Sequence, residues 1–154
     1  MRVRLALSTD RAAIYRLGVE YADEVRDLMP GVRFEEERAN QVFSAYLERS
    51  NPTIFVAEAS DGDVVGFMLA SIQPFPFMSG LWTNIELIYV TPVKRGTRAA
   101  AELLSTFDAW SERIGAKMSM GGNANKLHSE RTASFFEKFG FQRLGFAMAK
   151  FRDR

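Results

Sequence analysis

The sequence contains no cysteine and only one histidine, and each shortage limits the chemistry of the protein. Without cysteine there is no disulfide, no thiolate metal site and no cysteine nucleophile. The single histidine, His128, has no partners at metal-ligand spacing, so we expect no metal site. No apolar run is long enough for a membrane span or a signal peptide, which predicts a cytoplasmic protein without a membrane partner.

A strong excess of either charge is also absent, because 20 lysine and arginine residues stand against 19 aspartate and glutamate residues. No overall field would steer the chain to nucleic acid, so contact with RNA or DNA is a weak third hypothesis and we expect no nucleic-acid partner. The 154 residues suffice for one domain with a core, and no linker or repeat interrupts them. The prediction is one domain over residues 1–154.

Hydrophobic periodicity and turn residues predict elements in the order β-α-α-β-β-β-α-β-α-β, an α/β (α+β) fold. Antiparallel hairpins come first, and a strand-helix-strand crossover occupies the second half. After Val3–Leu7 come two helices, the first carrying Ile14 and Leu17, the second carrying Phe43 and Leu47. The later elements are strands Thr53–Ala59, Asp63–Gln73, Leu81–Val90, Ala116–Gly121 and Phe141–Phe151, with helices over Thr97–Ile114 and Ser129–Phe139.

The segment "YVTPVKRGTRAAAELL" (Tyr89–Leu104) gathers basic residues at the start of a predicted helix. Cations are locally unfavourable there, because the helix dipole already makes the N-terminus electropositive. Free backbone N–H groups at such a turn bind anions, Gly96 permits close approach, and Arg95 and Arg98 suit phosphate oxygens. The alternative is a solvated helix start without a ligand.

The same residues, "YVTPVKRGTRAA", resemble the acetyl-coenzyme A signature of the GNAT superfamily of N-acetyltransferases. That signature is (Arg/Gln)-x-x-Gly-x-(Gly/Ala) after a strand that ends in Val-x-Pro. The segment "FFEKFGF" (Phe135–Phe141) is similar to the C-terminal Tyr-x-x-x-Gly-Phe of the family, and the element order also matches. The resemblance implies a mixed, mostly antiparallel sheet with helices on both faces, and transfer of an acetyl group from acetyl-CoA to a primary amine.

The resemblance also implies a set of cofactor-binding residues. The diphosphate would lie on the backbone of the turn, and the pantetheine arm would run along the preceding strand. Arg98 stands where the family has its central glycine. Ser129 and Phe136 fall on the family's asparagine and on the tyrosine that protonates the leaving thiolate. The full set is Ile88, Tyr89, Val90, Arg95, Gly96, Thr97, Arg98, Ala99, Ala100, Ser129 and Phe136.

Glu86 is the candidate catalytic residue, because an ammonium must lose a proton before it can attack a thioester. It is the only acid in Leu81–Val90, and "IELIYV" resembles a segment of some aminoglycoside N-acetyltransferases in which a carboxylate serves as base. Strand alternation predicts Glu86 on the face of Ile88 and Val90, opposite Tyr89. The alternative is a structural carboxylate, with His128 as a weaker candidate base.

The connector Gln73–Trp82 is unusually aromatic for a loop, which predicts contact with the acceptor or with a second copy in a homodimer. The acceptor is a small-molecule or peptide amine whose identity the sequence leaves open. Two functional hypotheses remain. One is an acetyl-CoA-dependent N-acetyltransferase, and the other is a binding module that holds acyl-CoA without turnover, which the residues at Arg98 and Phe136 motivate.

Overall fold

A five-stranded sheet forms the centre of the computed structural model, which describes residues 1–122 and 127–152. The strand order is β1-β2-β3-β4-β5, with antiparallel pairs up to β4 and a parallel pair between β4 and β5. The strands are β1 (Arg2–Leu5), β2 (Thr53–Glu58), β3 (Val64–Pro74), β4 (Leu81–Val90) and β5 (Met118–Met120), and the helices are α1 (Arg11–Val25), α2 (Glu36–Arg49), α3 (Ala99–Ile114) and α4 (Ser129–Glu137).

Helices cover both faces of the sheet, which confirms the predicted fold class. On one face, which we call the α3 face, the buried side chains of Met68 and Val90 pack with Leu103 and Phe107 of α3. On the other, the α1 face, residues of β2 and β3 pack with α1 and α2. Because both faces are covered, β2 and most of β3 are buried along their length instead of alternating. No helix in the described ranges is long and apolar enough to cross a membrane.

β4 is the irregular strand of the sheet. Leu87 pairs with Leu69 and Ile85 with Ala70, so Glu86 between them has no partner and forms a β-bulge. On its other edge β4 pairs with β5 only over Trp82–Asn84. From residue 85 to residue 90, that edge of β4 has no paired strand in the described part of the chain. We call the opening beside residues 85–90 the β4–β5 gap.

The predicted last strand, Phe141–Phe151, is wrong, because residues 141–152 form no strand in the structure. Its alternating apolar side chains are largely exposed, with Phe146 at 98% and Met148 at 90%. A strand needs a partner edge, and β5 offers only three residues before the chain turns away at Gly121.

Smaller differences concern helix ends. α3 begins at Ala99 rather than Thr97, and α4 ends at Glu137 rather than Phe139. Ser129 is the first residue of α4 but does not cap it, because His128 occupies the N-cap position and no side-chain capping bond forms. The segment 122–128, between the predicted strand Ala116–Gly121 and the predicted helix Ser129–Phe139, reads as a loop in the sequence, and its residues 123–126 lie outside the described residues.

A buried carboxylate joins β1 to α1. Asp10 accepts hydrogen bonds from Arg4 Nη1 at 2.7 Å and Nη2 at 3.0 Å, and from the backbone N–H of Leu7 at 2.7 Å. The hydrogen bond from Arg4 lowers the pKa of Asp10 below its ordinary value of 3.8, and the Leu7 N–H acts in the same direction. The ionised carboxylate therefore stabilises the entry into α1.

We expect Asp10→Asn to lower the free energy of unfolding at pH 7 by about 1.5–3 kcal/mol, the worth of hydrogen bonds to a charged group. Because the folded-state pKa is depressed, wild type holds this advantage above the unfolded pKa and loses it as the pH falls through the folded value. Urea unfolding between pH 7 and pH 2 tests this. The prediction is contradicted if wild type and Asp10→Asn have the same free energy of unfolding at pH 7, or if their difference at pH 2 is as large as at pH 7.

Candidate active site

The turn between β4 and α3 leaves several backbone donors free. The N–H groups of Arg95 and Thr97 donate to the carbonyls of Pro92 and Lys94. Those of Gly96, Arg98 and Ala100 meet no acceptor among the described residues. Gly96 has a φ of +83°, a left-handed conformation that costs other residues about 1–2 kcal/mol. With the dipole of α3 behind them, these donors have the arrangement that binds anions at helix N-termini, and we call residues 95–100 the anion-binding turn after this predicted role.

The guanidinium of Arg95 is bound within the fold. Its Nη1 donates to Glu24 Oε1 on α1 at 2.6 Å, its Nη2 donates to Oε2, and its Nε donates to the Val90 carbonyl at 3.0 Å. It also lies over the Tyr89 ring, 5.3 Å from the centroid. The hydrogen bond from Arg95 lowers the pKa of Glu24, to which His128 adds a smaller effect. Arg95 thus joins the turn to α1 through its ion pair with Glu24, a structural role that was not predicted from the sequence.

The side chain of Arg98 is directed away from the turn. It is 84% exposed and pairs with Glu102, one turn further along α3. Its backbone has ordinary right-handed helical angles, φ −74° and ψ −7°. An arginine at the position that the resemblance assigns to the family's central glycine therefore fits this turn without strain, and its N–H has no acceptor in the part of the chain that the structure describes. Thr97 closes the turn, since its hydroxyl donates to the Lys94 carbonyl at 2.6 Å, and Ala99 is fully buried.

The C-terminal half of β4 borders the β4–β5 gap with its backbone. Ile88 and Val90 pack on the α3 face, whereas Tyr89 is buried on the α1 face, its ring 5.8 Å from that of Tyr21. Burial raises the pKa of Tyr89 to about 12, with the charge of Glu24 adding to the effect. The predicted placement of Tyr89 on the face opposite Ile88 and Val90 is confirmed. A phenol with so high a pKa is a poor proton donor at neutral pH.

Glu86 lies on the α1 face, so its predicted place beside Ile88 and Val90 is wrong. Its carboxylate accepts hydrogen bonds from Ser71 Oγ at 2.6 Å and Asn84 Nδ2 at 3.0 Å. Ser71 belongs to the α1 face, because alternation along β3 places it with Leu69, which packs there. The bulge adds one residue to β4 and reverses the alternation after Glu86. The carboxylate is exposed and held in one orientation.

Ser71 and Asn84 were not identified from the sequence. Asn84 could have been, because it lies two residues before Glu86 on the same strand. Ser71 lies on another strand, and its contact depends on the register between β3 and β4.

Phe136 lies next to Ile85 and Gly121, where the β4–β5 gap begins. Its side chain is 4% exposed, and its ring packs edge-on against Phe135 and Phe141. A Cβ at Gly121 would lie 2.5 Å from Phe136 Cε1 and 3.1 Å from Ile85 Cδ1, so only glycine fits there. Ser129 and His128, at the start of α4, are both exposed.

The aromatic connector between β3 and β4 divides into packed and exposed residues. Trp82 donates from Nε1 to the Pro74 carbonyl at 3.3 Å, and its ring lies 6.5 Å from that of Phe75. Phe77, which is fully exposed, and Met78, at 67%, form the tip. Their contact with an acceptor or a second copy stays a prediction.

The fold is that of acetyltransferases of known structure. A probable acetyltransferase of known structure superposes with a TM-score of 0.79 at 17% identity, over 100% of both chains. Ribosomal-protein-alanine N-acetyltransferase from Brucella melitensis biovar Abortus 2308 gives 0.73 at 18% identity, over 99% of both. AAC(6')-Iy in complex with a CoA-containing bisubstrate analog gives 0.76 at 20% identity, over 99% of this chain and 97% of that one.

The model of the acetyltransferase (GNAT) family matches residues 14–141, which include the anion-binding turn, the bulge and Phe136. The chain belongs to this family. A comparison with curated protein sequences gave no significant match.

The two arginines of the turn should differ in their effect on stability. We expect Arg95→Ala to lower the free energy of unfolding by about 1–2 kcal/mol, because it removes a two-thirds-buried ion pair and a contact with the Tyr89 ring. Arg98→Ala, the matched control, should change it by less than about 0.5 kcal/mol. Urea unfolding of both variants without ligand tests this, and equal losses would contradict the assigned roles.

Proposed function

We propose that the chain is one acetyltransferase domain that transfers the acetyl group of acetyl-CoA to a primary amine. The observation that carries the proposal is the combination of the anion-binding turn with the β4–β5 gap in a chain of the GNAT family. One element supplies donors for a diphosphate, and the other supplies an open strand edge beside which an extended arm could lie.

The residues present fit acetyl-CoA. The N–H groups of Gly96, Arg98 and Ala100 have no acceptor among residues 1–122 and 127–152, and a Cβ at Gly96 would meet open space. β4 is paired with β3 on one side, and its other edge, from residue 85 to residue 90, has no strand partner in the described ranges and leads to this turn. Arg98 is exposed on the outer side of α3, where its side chain can exchange Glu102 for a phosphate oxygen.

Acetyl-CoA, when bound, supplies the acetyl group as an activated thioester. Glu86 is assigned to the amine, because its carboxylate is exposed, fixed by Ser71 and Asn84, and borders the gap. It holds the ammonium and accepts its proton, directly or through a water molecule. Phe136 has no proton to donate to the departing thiolate, so that proton comes from solvent.

The second candidate is an acyl-CoA-binding module without turnover. The observation that favours it is the buried ring of Phe136, which has no hydroxyl and stands at the position that the resemblance assigns to the family's tyrosine. Both functions require the cofactor, and only the enzyme requires Glu86.

The turn can be tested with two glycines of similar geometry. Gly96 and Gly62 have φ of +83° and +90°, and a Cβ at either would meet nothing within 4 Å. We expect Gly96→Ala and Gly62→Ala to lose similar stability, about 1–2 kcal/mol. Only Gly96→Ala should weaken the binding of acetyl-CoA, because only that strain alters the anion-binding turn.

Calorimetric titration with acetyl-CoA measures this, and added salt should weaken wild-type binding because phosphate pairing contributes to it. An absence of binding at millimolar cofactor would reject both functions. Equal effects of the two substitutions on affinity would reject the turn as the binding site.

The role of the carboxylate has a separate test. Glu86→Gln keeps an acceptor for Ser71 and Asn84 but cannot take a proton, so kcat/KM should fall by about 10²–10⁴-fold. The loss should be largest below the pKa of the amine, where deprotonation is most needed. Thiol release across pH measures it, with Glu48→Gln, an exposed glutamate of α2, as control. A rate unchanged at every pH would leave Glu86 a structural carboxylate.

A further inference from the structure

The α1 face carries a cavity to which the proposed function assigns no ligand. It has a volume of about 300 Å³ and lies between α1, the connection to α2, α2 itself and the sheet. Its walls are mainly aliphatic and aromatic, and its floor is formed by Phe67, Leu69 and Leu87. A cavity of this volume with such a lining suits a small apolar ligand.

An aromatic wall of the cavity depends on a glycine in α1. A Cβ at Gly18 would lie 2.9 Å from Phe34 Cε2, so the missing side chain allows the Phe34 ring to lie against the helix. Phe34 in turn meets the Tyr15 ring edge-on, at a centroid distance of 6.2 Å. Both rings line the cavity.

The charges around the cavity argue against a polycationic ligand. Among the lining residues only Arg33, Glu35 and Arg38 carry a charge, and all three are exposed. Two positive groups and one negative group repel a polyamine more than they attract it. A body with several ammonium groups would also leave most of them without a carboxylate in the apolar interior.

The carboxylate of Glu86 does not line the cavity, but it lies on the same face of the sheet and next to residues of the cavity floor. Glu86 directly precedes Leu87, and Ser71, which donates to it, lies two residues beyond Leu69 on the same face of β3. Along β3 and β4, the apolar side chains of the cavity floor are therefore followed by the Glu86 carboxylate, which borders the β4–β5 gap. A ligand that fits this sequence of groups has an apolar body and one ammonium at its end.

We propose that the acceptor is an arylalkylamine, a single primary amine joined by a short chain to an aromatic ring. The ring occupies the cavity between Phe34 and the sheet, and the ammonium pairs with Glu86. This inference rests on the proposed function, because it names the substrate class of that same site.

The test compares 2-phenylethylamine with spermidine and neamine as acceptors at saturating acetyl-CoA. We expect kcat/KM for 2-phenylethylamine to exceed that for the other two by roughly tenfold or more. Ala39→Trp places an indole in the cavity from α2 and should abolish this preference while leaving acetyl-CoA affinity unchanged. Ala109→Trp, on the exposed side of α3, is the matched control and should behave as wild type.

The outcomes separate the two proposals. Transfer to spermidine or neamine in preference to 2-phenylethylamine, or an Ala39→Trp variant with wild-type kinetics, overturns the substrate class and leaves the acetyltransferase standing. If no amine is acetylated although acetyl-CoA binds, NMR titration with 2-phenylethylamine decides. Saturable binding that Ala39→Trp blocks supports an arylalkylamine site, and no such binding overturns it.

Discussion

The candidate site depends on where the pairing between β4 and β5 ends, at Asn84 and Met120. Pairing is held at Thr83, which is fully buried and whose hydroxyl bonds Ser111 Oγ of α3 at 2.7 Å and Ser119 Oγ of β5 at 2.9 Å. One residue beyond the paired segment, Ile85 and Phe136 both pack against Gly121. Pairing ends at this point, and among the described residues the remaining edge of β4, which leads to the anion-binding turn, has no strand partner.

The bulge places Glu86, which borders this gap, on the α1 face, where the cavity lies. Without the extra residue, alternation would place the carboxylate on the α3 face, with Ile88 and Val90. With it, Glu86 joins the face of Leu69 and Leu87, next to the floor of the cavity. A single irregularity in one strand thus brings the candidate base to the border between the proposed acceptor and cofactor sites.

The sequence predicted the features that local signals determine. Glycine, proline and a run of helix formers mark the turn after β4 and the start of α3, and the hydrophobic periods mark the elements on both faces. The bulge, the short β5 and the missing last strand depend on registers between distant segments. The ion pair between Glu24 and Arg95 spans 71 residues, so no local pattern shows that this arginine is already engaged.

The central claim is that the turn after β4 and the adjoining gap hold acetyl-CoA through backbone donors. Amide hydrogen exchange, followed residue by residue by NMR with and without saturating acetyl-CoA, tests it most directly. The account predicts slower exchange at Gly96, Arg98 and Ala100 on binding, with the hairpin amide of Gly62 unchanged. The account is contradicted if acetyl-CoA binds without slowing amide exchange in that turn, or if exchange slows only at residues that line the cavity on the α1 face.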